Sequence, residues 1–194
     1  MKKLIIALIS VLIVNVSIFA GPFGLDMGMT LEEVSGVCER KPTHISDDRY
    51  YIKPQKAHPL FEGYVVWINE EYGLYYIKGR SKEIGSNDYG TEVKQEFAKL
   101  LSPLERKYGK FNHTDKLAKD TLFRDDKYWM MAIAEGSRTY EAHWEAAENN
   151  VQGFEGLVSI ATGVKTTSTN IAYIWIEYGF MNAMQGFDNL DDVL

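Results

Sequence analysis

Three polar side chains in one short run have the types and spacing for joint chemistry. Glu141, His143 and Glu145 alternate with Ala142 and Trp144. On a strand, alternate residues point the same way, so the three share one face and Tyr140, Ala142 and Trp144 turn to the core. A histidine between carboxylates can hold zinc, or the acids can favour its imidazolium, as in a small envelope hydrolase. Alternate positions on a strand lie about 6–7 Å apart, long for a single metal ion. The plain alternative is the solvated outer face of a half-buried strand. Besides His143 the chain carries His44, His58 and His113, and no H-E-x-x-H, G-x-S-x-G or S-x-x-K motif. A Ser-His-Asp site is recognised by geometry rather than order, and no residue is assigned a catalytic role. No cofactor is expected.

Aromatic residues form the second concentration. Tyr50, Tyr51, Tyr64, Trp67, Tyr72, Tyr75 and Tyr76 crowd into one stretch. Ordinary strand packing explains many such rings. Yet Trp67 stands between Val66 and Ile68, and the run from Leu74 to Ile77 leaves no polar face. Either both faces are covered within the fold or one is a docking surface, where Tyr and Trp supply contact area at low entropy cost. The candidate docking set is Trp67, Tyr64, Tyr72 and Tyr75, with Glu70 and Glu71 as a charged rim. A third possibility is a carrier of a small apolar ligand, which needs an enclosed cavity between helix and sheet.

These residues sit in a chain of 194, 45% apolar and 25% charged, the composition of a folded protein. The formal charge of −6 argues against binding nucleic acid by neutralising phosphates. Cys38, the single cysteine, cannot form an intrachain disulfide. Residues 1–20 have the order of a secretory signal: basic Lys2 and Lys3, an apolar run from Leu4 to Phe19, and a small exit at Ala20 and Gly21. The apolar run is short for a membrane span and contains Asn15. The signal holds two of the 21 basic residues and no acid, leaving 19 against 27, a net of −8. The mature chain is expected to be periplasmic or secreted, with no membrane insertion once the signal is cut.

The elements that position the candidate residues follow from local patterns. Thr30 and Glu33 form a capping box, and Leu31, Val34, Val37 and Cys38 fall on one helical stripe ended by Pro42. Cys38 therefore reads as core filler. Strands are predicted at 50–53, 64–69 and 74–80, with a hairpin loop at Glu70 to Gly73. A helix is predicted over 91–108 from the stripe Val93, Phe97, Leu100, Leu101, Leu104 and Tyr108. It is kinked at Pro103 and stopped by Gly109. Further strands are predicted at 127–134, 138–144, 156–164 and 170–178, with Glu135 to Ser137 as a tight hairpin turn. The run Ile171 to Ile176 is apolar on both faces and reads as a central strand. Hairpins with segregated helices predict an α+β fold with antiparallel sheet. It divides as a helix-plus-hairpin unit at 21–88 and a helix-plus-sheet unit at 89–194, either as a tandem or as one continuous sheet.

The segment Leu25 to Val34, with Gly28-Met29-Thr30 at its centre, resembles the G-M-T-x-x-x-V helix start of small exported bacterial modules. These are the envelope-assembly lipoproteins called BamE or SmpA, and the β-lactamase inhibitory proteins. The resemblance covers about ten residues, extended by element order. Tyr89-Gly90-Thr91 stands where a second G-M-T belongs. No cysteine ends the signal, so a lipoprotein's outer-membrane role does not carry over. The resemblance implies a scaffold that binds other proteins and does no chemistry. The sequence thus predicts an exported, soluble protein–protein interaction module of the bacterial envelope.

Overall fold

Thr30 opens the first helix as its spacing requires. Its hydroxyl accepts from the Glu33 amide at 3.3 Å, and Glu33 returns to the Thr30 amide at 2.8 Å. The computed structural model describes residues 21–145 and 156–184. The predicted signal at 1–20 and the end of the tail lie outside them. Helix α1 is short, Leu31–Gly36, ending before Cys38, which is nonetheless buried. The preceding Gly28 and Met29 zip onto the chain at Leu74: the Gly28 amide donates to the Leu74 carbonyl, and the Leu74 amide to the Met29 carbonyl, both at 2.8 Å. There the backbones touch. A Cβ on Gly73 would lie 2.1 Å from the Gly28 carbonyl oxygen, so only glycine fits.

Among the described residues nine strands follow: β1 (Thr43–Ser46), β2 (Arg49–Ile52), β3 (Phe61–Asn69), β4 (Gly73–Ser81), β5 (Ile84–Gly85), β6 (Asn112–Leu117), β7 (Arg138–Glu145), β8 (Leu157–Ser168) and β9 (Ile171–Phe180). They form one antiparallel sheet in the order β1-β2-β3-β4-β9-β8-β7-β6, with β5 also on β9. The fold is therefore α+β with a large antiparallel sheet, and that sheet is continuous. The proposed division at 88 and 89 falls in the turn between β5 and the next helix, while β4 and β9 pair across it.

Helix α2 spans Thr91–Tyr108 as predicted and runs on through Pro103. Its stripe of Val93, Phe97, Leu100, Leu104 and Tyr108 is buried, with Phe97 5.3 Å from the Tyr140 ring and Tyr108 6.4 Å from Tyr178. Gly109 caps it with φ 84°. Two expectations fail between 110 and 137. Residues 127–134 are a helical turn and helix α3 (Trp129–Ala134), not a strand. Glu135 to Ser137 is its cap, not a hairpin: the Gly136 amide donates to the Ile133 carbonyl and the Ser137 amide to the Ala132 carbonyl. Methionine and alanine favour helix, and Trp129 and Met130 reach the core from it. Strand β6 had no apolar signal: N-H-T-D-K-L is an edge strand held by its pairing with β7.

One face of the sheet carries the core. A single cross-strand row on it runs Ile52, Tyr64, Gly79, Ile176, Thr162, Ala142 and His113. The helices and the segment with Phe23 and Leu25 lie on this side. Phe23 packs 4.8 Å from the Tyr64 ring and 5.7 Å from Tyr178. Among the described residues no helix is long and apolar enough to cross a membrane.

Candidate functional site

The other face of the sheet has no helix over it among the described residues. Alternation fixes what it displays. One row reads Tyr51, Val65, Lys78, Glu177, Ala161, His143 and Asn112. The row on one side reads Arg49, Trp67, Tyr76, Gly179, Ser159 and Glu145, and the row on the other reads Gly63, Arg80, Trp175, Gly163, Glu141 and Thr114. Tyr173 extends the β9 column.

At the centre, Lys78 of β4 and Glu177 of β9 form an ion pair at 2.5 Å. Glu177 also accepts from the Tyr76 hydroxyl, and burial together with this anion pushes the Tyr76 phenol far above its ordinary value. Rings surround the pair. Trp67 stands edge-on to Tyr76 at 5.0 Å. The Lys78 ammonium lies 5.9 Å from the Trp175 ring, and the Arg80 guanidinium 4.3 Å from the Tyr173 ring. Cations over aromatic faces hold those faces and themselves in place. The Trp175 indole lies across Gly163, where a Cβ would come within 2.9 Å of it.

Beside the pair the surface dips. A recess of about 430 Å³ is lined by Tyr51, Glu62, Gly63, Val65, Lys78 and Arg80. Gly63 makes it, since it adds no side chain where its neighbours do, and a Cβ there would meet only Tyr51, at 3.8 Å. The Tyr51 hydroxyl donates to the Glu62 carbonyl, and Arg40 lies 5.6 Å over the Tyr51 ring. The recess is on the open face, not between helix and sheet where a carrier of apolar ligands requires it.

The sequence-predicted residues are divided by the fold. Trp67 is on the open face, half-buried. Tyr64 is a correction: it is 1% exposed, on the covered face, with its hydroxyl oxygen accepting the His58 amide at 2.9 Å. The slip has one cause, that residues 64 and 67 have opposite parity on one strand. Tyr72 and Tyr75 pair at 5.4 Å at the tip of the β3–β4 hairpin, beside Glu70 and Glu71 on its turn. Burial and the nearby Asp48 push the Tyr75 phenol up to about 12. Glu141, His143 and Glu145 do share a face, the open one. His143 Nε2 lies 3.3 Å from Glu141 Oε2. Among the described residues no group of three or more His, Cys, Asp or Glu side chains is placed to hold a metal ion. Sequence reasoning missed Lys78, Arg80, Tyr173, Trp175 and Glu177 as a set. The signal is their parity: Ile77, Ile174 and Ile176 take the covered face, so their neighbours take the other.

No protein-family model, curated protein or solved structure matches this chain.

Proposed function

We propose that this chain is an exported module of the bacterial envelope, periplasmic or secreted, that binds another protein through the open face of its sheet. The observation that carries the reading is a wide antiparallel sheet that, among the described residues, helices cover on one side only. Its uncovered side places Tyr51, Trp67, Tyr76, Tyr173 and Trp175 around a central ion pair. Eight strands abreast, at about 4.8 Å each, span roughly 35–40 Å, enough for a standard-size interface. Tyr51, Trp67, Tyr76 and Tyr173 are half-buried, with Trp175 buried beneath them, and such rings on a rigid sheet lose little entropy when a partner covers them. The mixed charges of Lys78, Arg80, Glu177 and Glu141 suit a protein surface. The overall negative charge disfavours nucleic acid.

The same reading treats 21–88 and 89–194 as two like units. Each begins with a helix, α1 or α2, and ends in antiparallel strands. Strand β4 of the first and β9 of the second pair to make the sheet continuous. Tyr76-Ile77-Lys78 and Trp175-Ile176-Glu177 repeat aromatic, isoleucine and charge on those two strands.

The test compares captures from the native envelope by the wild-type chain and by open-face variants. Trp67→Ala together with Tyr173→Ala is expected to lose a captured protein while keeping most thermal stability. Tyr64→Ala, on the covered face, is expected to cost about 3–5 kcal/mol of stability. If the open-face variant captures the same proteins as wild type, the reading fails.

A further inference from the structure

We infer that the recess above Gly63 seats a carboxylate side chain, Asp or Glu, of the protein partner; this rests on the open-face reading. Two cations, Lys78 and Arg80, and one carboxylate, Glu62, line the recess, and Glu177 and Glu83 pair with the two cations from outside the lining. Glu62 is exposed, where water and salt weaken its field. Arg80 is the stronger argument. Its guanidinium is held over Tyr173 and lies 3.7 Å from Glu83, beyond hydrogen-bond reach. That contact is an ion pair with no hydrogen bond, and among the described residues no side-chain acceptor takes its N–H donors. A guanidinium fixed in place with free donors matches a carboxylate in two parallel bonds. Lys78 commits one ammonium proton to Glu177 and keeps the others. The floor and near wall, Gly63, Val65 and Tyr51, are apolar and fit the methylene stem that carries such a carboxylate. Arg40 over Tyr51 adds a third positive charge on that side.

The probe is the peptide acetyl-Gly-Glu-Gly-amide, titrated into the isotope-labelled full chain and read by amide chemical shifts. Its glutamine counterpart, inorganic phosphate and an oligothymidylate are the comparison arms. The glutamate peptide is expected to shift Gly63, Val65, Lys78 and Arg80 saturably, with the glutamine peptide about tenfold weaker. Arg80→Gln is expected to weaken the glutamate peptide about tenfold without moving the melting temperature. Gly63→Leu fills the recess and is expected to abolish the shifts; Gly63→Ala, a smaller change, is expected to weaken them. The inference is overturned if the two peptides bind alike, if phosphate or the oligonucleotide shifts the same signals as strongly, or if Arg80→Gln binds like wild type. The wider reading is judged separately. Loss of capture by the Trp67 and Tyr173 variant, with capture kept by Arg80→Gln and Gly63→Leu, removes the recess and leaves the docking face standing.

Discussion

Lys78 Nζ and Glu177 Oε1 meet at 2.5 Å across 99 residues of chain, on the two strands through which the halves of the sheet join. Their side chains are 42% and 22% exposed, so solvent screens the pair. A double-mutant cycle of Lys78→Met and Glu177→Gln is expected to give a coupling of about 0.5–1 kcal/mol by urea unfolding. Glu177→Gln alone is expected to cost more than Lys78→Met, because Tyr76 also loses its charged acceptor.

The same carboxylate sets an alkaline dependence. Burial first, and Glu177 second, raise the folded Tyr76 phenol above its ordinary value. Its stabilising contribution is therefore full below about pH 10, the unfolded value, and is lost as pH rises through the folded one. Tyr76→Phe is expected to flatten the loss of stability above about pH 10, read by denaturation across pH. An unchanged alkaline slope would contradict the buried phenol.

Two glycines are expected to respond oppositely to alanine. Gly73 has φ 74° and a prospective Cβ against the Gly28 backbone. Gly73→Ala is expected to cost about 3 kcal/mol or more. Gly36, the last residue of α1, has nothing within 4 Å of a prospective Cβ. Gly36→Ala is expected to be neutral or to stabilise by about 0.5 kcal/mol. Calorimetric melting temperatures separate the two.

Acid acts on the helix cap. The Thr30 amide and hydroxyl bind the Glu33 carboxylate and hold it below its ordinary value. That contribution is present above the unfolded carboxylate value and is lost as pH falls through the folded one. Glu33→Gln is expected to be less stable than wild type at pH 7, with the gap closing below about pH 3. Unfolding curves at the two pH values check this.

Export predicts a processed chain. Intact-mass analysis of the protein recovered from the native host is expected to show Gly21 as the first residue. A full-length chain starting at Met1 and retained with membranes would contradict it.

Much of the fold was legible where one segment's pattern settles its own structure. The Thr30 and Glu33 box, the stripe from Val93 to Tyr108 and the alternation in β7 are of that kind. The misses are segments decided by distant partners. Asn112 to Leu117 has no apolar side chain before its last residue, yet it pairs with β7 along its whole length. Trp129 to Ala134 is apolar all round, a pattern that strand and helix share, and the Gly136 cap tips it to helix. The docking set suffered from the same cause. Trp67 and Tyr64 read alike as aromatics, and their opposite parity along β3, with one face of the sheet covered by distant helices, makes one a core ring and the other a surface one. Lys78 and Trp175 become neighbours through the pairing of β4 with β9, which no local pattern announces.

That pairing orders events during synthesis. Among the described residues β9 is the last strand in the chain, and it supplies hydrogen bonds to both β4 and β8. Until residues 171–180 leave the ribosome, β4 and β8 each present a bare hydrogen-bonding edge, the template on which strands of neighbouring chains add. A product truncated before Ile171 keeps both edges open, so termination ahead of that strand yields a chain prone to aggregate, not a smaller working one.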